Sequence, residues 1–227
     1  MLILGIDTSG KTASVAMSED DFIIGQNTVF TNLTHSQVIM PFCKKLIEDC
    51  GKTISDIDVI AVSAGPGSYT GLRIGIAGVK AMAYALGIKC CGISTLESLA
   101  YNLLGFDGIV CPVMKARLDL VYNAVFRCDG NKISRLCDDR IISRQDLYDE
   151  LEKIGGKIIV TGDGAENFYG EYGNENIRLS PPLLRYQLAG SLCIASLEKE
   201  TISPEMLEAS YLQPVKAEKD LKAKSGL

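Results

Sequence analysis

Histidine is nearly missing from this 227-residue chain, where His35 stands alone. A metal centre built from paired imidazoles therefore has no source of ligands. The eight cysteines (Cys43, Cys50, Cys90, Cys91, Cys111, Cys128, Cys137 and Cys193) contain no C-x-x-C pair. Several fall inside apolar strand or helix patterns, so they read as reduced core thiols, neither zinc ligands nor a disulfide framework. No metal site is expected. No apolar run is long enough to cross a bilayer, and no basic stretch leads into an apolar one at the start. A soluble, cytoplasmic protein with no membrane partner is the expectation. No stripe of Lys and Arg relieves the net charge of −5, which argues against strong direct binding to nucleic acid, because phosphate neutralisation supplies most of that affinity. Disorder-prone composition is lacking too. What remains is 47% hydrophobic, enough core for one large domain or two small ones.

Residues Gly5 to Thr12 spell G-x-x-x-x-G-K-T, a phosphate-loop signature. That motif needs a helix directly behind it, whose first N–H groups face the phosphates. Here Ala13, Val15 and Met17 alternate with Ser14 and Ser18, which is strand periodicity. Leu2 to Ile6, Thr12 to Met17 and Phe22 to Val29 therefore read as a three-stranded meander, and the phosphate-loop reading is set aside. A strand ending in Asp7, then Thr8-Ser9-Gly10 and an antiparallel strand, resembles the opening of the actin, sugar-kinase and heat-shock ATPase fold. That fold usually has glycine where Ser9 stands.

Downstream, Thr34 is placed to cap a helix running to about Cys50, with Gly51 stopping it. Asp58 to Ala64 reads as a strand, Gly65-Pro66-Gly67-Ser68-Tyr69 as a loop, and Thr70 to Leu86 as a helix, followed by a strand at Cys90 and a helix from Thr95. Strands then recur at Ile109–Met114, Val121–Phe126 and Lys132–Leu136, a helix at Arg144–Lys153, a strand at Lys157–Thr161, a Gly162-Asp163-Gly164 loop and a helix from Ala165. A β-β-β-α-β-α order thus appears twice. The expectation is an α/β protein of two duplicated lobes, residues 1–105 and 106–227, with a cleft between them.

The string Ala64-Gly65-Pro66-Gly67-Ser68-Tyr69-Thr70-Gly71-Leu72-Arg73-Ile74-Gly75 is the most specific in the chain. With Ile6-Asp7-Thr8-Ser9, Thr34-His35-Ser36, Ile93-Ser94-Thr95-Leu96-Glu97, Thr161-Gly162-Asp163-Gly164-Ala165 and Tyr211-Leu212-Gln213-Pro214, it resembles the TsaB (YeaZ) family. That family is the dimerisation subunit of the bacterial complex making threonylcarbamoyladenosine in tRNA. The chain departs from it at Lys115, where Asp is usual, and at Gln213, where Arg is common. The resemblance implies an actin-like (ASKHA) fold and a non-catalytic pseudo-enzyme. It also implies pairing as a heterodimer with a TsaD-type catalytic paralogue, and a TsaE-type ATPase subunit in the larger complex. The paralogue transfers threonylcarbamoyl to N6 of the adenosine 3′ of the anticodon and carries an H-x-x-x-H metal motif. Here His35 is followed four residues on by Ile39, so that motif is broken.

Two further readings concern surfaces. The Gly65, Gly67 and Ser68 loop feeds a helix N-terminus with Arg73 in its first turn, and Gly162 and Gly164 are placed to face it across the cleft, with Asp7 and Ser9 nearby. This set could hold an anion, ATP or ADP included, although no cofactor is required. The other account of both loops is tight strand-to-helix turns. On the Thr70–Leu86 helix, Leu72, Ile76, Val79, Ala83 and Leu86 form the stripe expected on the sheet. The opposite stripe, Ile74, Ala77, Gly78, Ala81 and Ala85, is small and uncharged, and Ser36, Met40 and Ile47 of the preceding helix flank it. Such a surface suits close helix packing against a partner subunit, or a second copy when the chain is alone. The alternative function is a nucleotide-dependent phosphotransferase of the actin/sugar-kinase type.

Overall fold

The computed structural model describes residues 1–31 and 33–212. Among them, ten strands form two five-stranded sheets. The first is built from β1 (Leu2–Asp7), β2 (Thr12–Glu19), β3 (Phe22–Phe30), β4 (Val59–Gly65) and β5 (Lys89–Ser94), in the order β3-β2-β1-β4-β5. The second uses β6 (Asp107–Lys115), β7 (Leu120–Asp129), β8 (Ile133–Ser143), β9 (Ile158–Thr161) and β10 (Ile177–Leu179), in the order β8-β7-β6-β9-β10. In each sheet the first three strands are antiparallel and the last two run parallel to the first. Order and direction therefore repeat strand for strand. Lys11 and Thr12 sit in and after a hairpin turn, with Thr12 already paired to Phe30, so the phosphate-loop spelling has no helix behind it.

Among the described residues six α-helices cover the sheets: α1 (His35–Asp49), α2 (Tyr69–Leu86), α3 (Thr95–Tyr101), α4 (Arg144–Ile154), α5 (Ala165–Tyr172) and α6 (Ala189–Ser196). Their ends follow local chemistry. Thr34 precedes α1 and its N–H donates to Gln37 Oε1 at 3.2 Å, half of a capping box. Ser68 Oγ accepts from the Gly71 N–H, Ser94 Oγ from the Glu97 N–H and Ser143 Oγ from the Asp146 N–H. Gly87 ends α2 at φ 66°, a left-handed position where a side chain is penalised.

The pleat divides three cores. Leu2, Leu4 and Ile6 point one way, into α1 and α2 with Ile39, Leu46, Ile60 and Val79. Ile3 points the other way, into a central cluster with Leu96, Leu99, Val110, Phe126 and Leu192. Ile109, Cys111 and Val113 face α4 and α5 with Leu147, Leu151 and Phe168. The layers run helix, sheet, helix, sheet, helix, which is the two-lobed actin-like arrangement.

The repeat is longer than β-β-β-α-β-α, because the strand and helix expected at Cys90 and Thr95, β5-α3, have an unexpected counterpart in the second half, β10-α6. The last helix also leaves its own half. α6 packs on the strands of the first sheet, whereas α3 lies between the two sheets, on β6, β7 and β8 of the second, on β4 and β5 of the first, and against α6. Beyond α6, Cys90 and Ile202 exchange backbone hydrogen bonds at 3.0 and 2.8 Å, and the Ser210 N–H donates to Ala64 O at 2.7 Å. The first sheet's last strand ends at Ser94 and the second sheet's first begins at Asp107, but residues 189–210 return to the first sheet. No described helix is long and apolar enough to cross a membrane.

Candidate functional site

Between the two sheets lies a cleft of about 620 Å³. Its floor and walls come from equivalent loops of the two halves. The β1–β2 hairpin supplies Ser9, Gly10 and Lys11; the β4–α2 loop supplies Gly67, Ser68 and Tyr69. The β6–β7 hairpin contributes Lys115 and Arg117, the β9–α5 loop contributes Asp163, and Tyr122, Tyr211 and Leu212 close the sides. The two loops proposed to face each other do so, as the duplication requires.

Of the residues expected to hold an anion, Ser9, Gly67 and Ser68 line this cleft, whereas Asp7, Gly65, Arg73, Gly162 and Gly164 do not. Packing within the chain explains each. Asp7 is fully buried; its Oδ1 accepts from Ser9 N–H at 2.9 Å and Ser9 Oγ at 2.7 Å, and its Oδ2 accepts from Ser63 Oγ. Burial raises its pKa, opposed by those three donors. Both carboxylate oxygens are thus engaged by the protein's own donors. A Cβ at Gly65 would stand 2.4 Å from Ser210 O, and one at Gly162 2.4 Å from Val113 O, both at positive φ. Gly164 donates its N–H to Val113 O at 2.9 Å. These glycines let the chain's own backbone approach.

Gly67 belongs to the same packing: the Ser68 N–H donates to Ser9 O at 2.7 Å, and a Cβ on Gly67 would meet that oxygen at 2.4 Å. Arg73 turns out of the cleft. Its guanidinium lies 4.1 Å over the Tyr69 ring and its Nε donates to Tyr211 Oη at 3.4 Å. Asp163 Oδ1 accepts the Lys115 N–H at 2.9 Å, clasping the β6–β7 hairpin to the β9–α5 loop.

Sequence reasoning missed the cleft's cations as a group. Lys11 and Lys115 lie far apart along the chain, and only the pairing of the two lobes brings their hairpins to one opening. Lys115 was singled out solely as a departure from a family pattern. Gln213, the other departure, lies outside the described residues.

The second surface is the outward side of α2. Leu72, Ile76, Val79 and Ala83 are buried as expected, with Gly71 and Gly75 beside them, while Leu86 is only partly covered. Opposite, Ala77, Ala81 and Ala85 are exposed and Ile74 and Gly78 partly so. Met40 of α1 lies over Gly78, whose added Cβ would meet Met40 Cε at 2.9 Å, and Met40 itself remains 37% exposed. Ser36 is exposed beside it. Ile47 departs from the expected surface: it is 6% exposed and sits in the core with Leu46 and Val38. Two turns of helix beyond Met40, the stripe has rotated toward the sheet.

His35 opens α1 partly covered, and Ile39, one turn on, is a core residue at 1% exposure. Among the described residues no three His, Cys, Asp or Glu side chains group together as metal ligands.

Comparison with known proteins agrees with this architecture. The family model for TsaD, tRNA N6-adenosine threonylcarbamoyltransferase, matches residues 29–168. The tRNA threonylcarbamoyladenosine biosynthesis protein TsaB of Bacillus subtilis is 29% identical over 231 residues, covering 96% of each chain. The TsaB protein of Buchnera aphidicola is 30% identical over 173 residues, or 72% of this chain and 79% of that one. Among solved structures, a Pseudomonas aeruginosa protein described as similar to peptidase YeaZ superposes with a TM-score of 0.80, at 23% identity, over 93% of this chain and 99% of that one.

Proposed function

This chain belongs to the TsaB (YeaZ) family of tRNA threonylcarbamoyladenosine biosynthesis proteins, and from that premise we propose that it serves as a non-catalytic scaffold for a catalytic paralogue of TsaD type. The observation that carries the reading is the outward face of α2. Ala77, Ala81 and Ala85 stand exposed on a helix that is apolar on both sides, with Ile74, Gly78 and Met40 alongside. Small side chains permit a short interaxial distance, and an exposed apolar helix face of this kind favours a partner helix over water. The paralogue would dock there and transfer threonylcarbamoyl to N6 of the adenosine 3′ of the anticodon. A TsaE-type ATPase would join the pair.

The chemistry of this chain's own residues supports a non-catalytic part. Asp7, the carboxylate a phosphotransferase reading would use, does not line the cleft and is buried, held by Ser9 and Ser63. The test is reconstitution with the TsaD-type and TsaE-type proteins, ATP, threonylcarbamoyl-adenylate and substrate tRNA. Modified adenosine should form only when this chain is present, and Asp7→Ala should leave that support intact. Modification by this chain without the paralogue, or ATP turnover by the isolated chain that Asp7→Ala abolishes, would overturn the reading.

A further inference from the structure

We propose that the backbone carbonyl of Gln37, deprived of its helical donor by Pro41, is the acceptor for one neutral hydrogen-bond donor on the partner subunit. Given the scaffold role above, on which this rests, the partner is the TsaD-type paralogue. Pro41 stands in the interior of α1, well past the first turn. No other described α-helix contains a proline. Proline has no N–H, and its ring crowds the carbonyl four residues back, so at this depth it removes a helical bond and lowers stability. The carbonyl it orphans is Gln37 O. The rest of the residue is already engaged: its N–H donates to Thr34 O at 2.9 Å, and its Oε1 accepts the Thr34 N–H at 3.2 Å. The capping box therefore holds the backbone behind this acceptor in place.

The position of the carbonyl decides what it can meet. Ser36, Gln37, Met40 and Pro41 are all exposed, and Met40 reaches over Gly78 of α2, so the carbonyl borders the strip of Ile74, Ala77 and Ala81. In the free chain an exposed carbonyl is met by water. Once a helix docks on that strip, water is shut out, and a buried acceptor left unpaired weakens the complex. The docking helix must therefore supply the donor. A cation suits the place poorly, because neither 36–41 nor 74–81 contains a carboxylate to neutralise it and Lys80 already brings a positive charge. A Ser or Thr hydroxyl, or an Asn or Gln carboxamide, meets the requirement. The match to the TsaD family model includes both helices, so a TsaD-type chain has an equivalent helix pair on which to carry such a side chain.

The experiment uses the full chain and a TsaD-type paralogue, with heterodimer affinity read by calorimetry and stability by urea denaturation. Pro41→Ala returns an N–H to Gln37 O from within the chain. It should raise the urea midpoint and yet weaken pairing about tenfold, opposite shifts that a purely structural proline does not give. The Ser, Thr, Asn and Gln residues on the paralogue's facing helices are then replaced singly by Ala. One of these changes should weaken pairing with the parent by a similar factor and cost nothing against Pro41→Ala, the signature of a shared contact. Ala81→Arg should abolish pairing whatever stands at position 41. A lowered urea midpoint or unchanged affinity in Pro41→Ala, or the lack of any coupled position, overturns the proposal and leaves the scaffold reading standing. Failure of the parent to pair at all overturns both.

Discussion

Thr8 and Gly71 are locked together: Thr8 Oγ1 donates to Gly71 O at 2.7 Å, and a Cβ added to Gly71 would lie 2.0 Å from Thr8 O. The contact joins the β1–β2 hairpin to the first turn of α2. It gives the glycine in Tyr-Thr-Gly-Leu-Arg a mechanical role that requires no ligand. Gly75 repeats it one turn later, where a Cβ would meet Thr8 Oγ1 at 2.4 Å.

Gly71→Ala should therefore destabilise the protein although alanine is the better helix former. Overpacking of this kind costs about 1–3 kcal/mol, against the roughly 1 kcal/mol that alanine gains over glycine inside a helix. Urea denaturation checks it. A variant as stable as the parent would mean that α2 shifts freely away from the hairpin.

Asp7 predicts a pH dependence. Its folded pKa is raised, burial being the main cause, so the folded chain holds this proton more firmly than the unfolded one. The stabilisation belongs to the protonated form. It is complete below the ordinary value of 3.8 and is lost as pH rises through the raised folded value. Measured as the difference in urea midpoint between the parent and Asp7→Asn, the parent should lose ground from pH 4 upward until the folded carboxyl has ionised. Parallel profiles for the two proteins over that range would show that burial does not govern this carboxyl.

The thiols should be largely inert in the folded state. Cys43, Cys90, Cys91, Cys111, Cys128 and Cys193 are buried, and only Cys50 and Cys137 are partly accessible. Burial pushes the Cys43, Cys111 and Cys193 thiols up to about 12 and Cys91 up to about 11. Labelling with a thiol-reactive disulfide at neutral pH should modify Cys50 and Cys137 quickly and the other six only on unfolding. Rapid native labelling of Cys193 would contradict the packing of α6 on the first sheet.

Without a partner, the α2 face should associate with itself, giving a dimer at micromolar concentration in sedimentation velocity. Ala81→Arg should shift it to monomer while leaving the fold intact, since Ala81 is exposed and an Arg there meets water in the monomer. Val79→Arg places the same charge at a position with 0% exposure and should prevent folding. A dimer persisting unchanged in Ala81→Arg would move the contact elsewhere.

Strand periodicity made most of the fold legible. The meander, α2 to within one residue, and the equivalence of the two Gly-x-Gly loops all follow from alternating or helical apolar spacing. β10 escaped because Ile177-Arg178-Leu179 is too short to show a period. α6 escaped because Ala189–Ser196 is apolar on every side, six of its eight residues being buried, so it has no polar face to mark its phase. The site was less legible. Motif reasoning pointed at glycines and Asp7, whose chemistry is consumed by internal contacts, and local sequence holds no record that hairpins more than a hundred residues apart share an opening. Ile47 was misplaced by extending the Met40 stripe too far along a helix whose phase drifts.

With α3 shared between the sheets and α6 lying on the sheet of the other half, neither half can finish its own interior. A half-length chain would leave the last helix of its repeat without most of its neighbours and its sheet incompletely covered on the inner side. Two such chains would complete each other about a twofold axis, each lending its final helix to its neighbour. The present molecule is that exchange made covalent, an intramolecular dimer whose two protomers are joined end to end. Its folding unit is the whole chain, and cutting it at the boundary between the sheets would yield fragments that acquire structure only together.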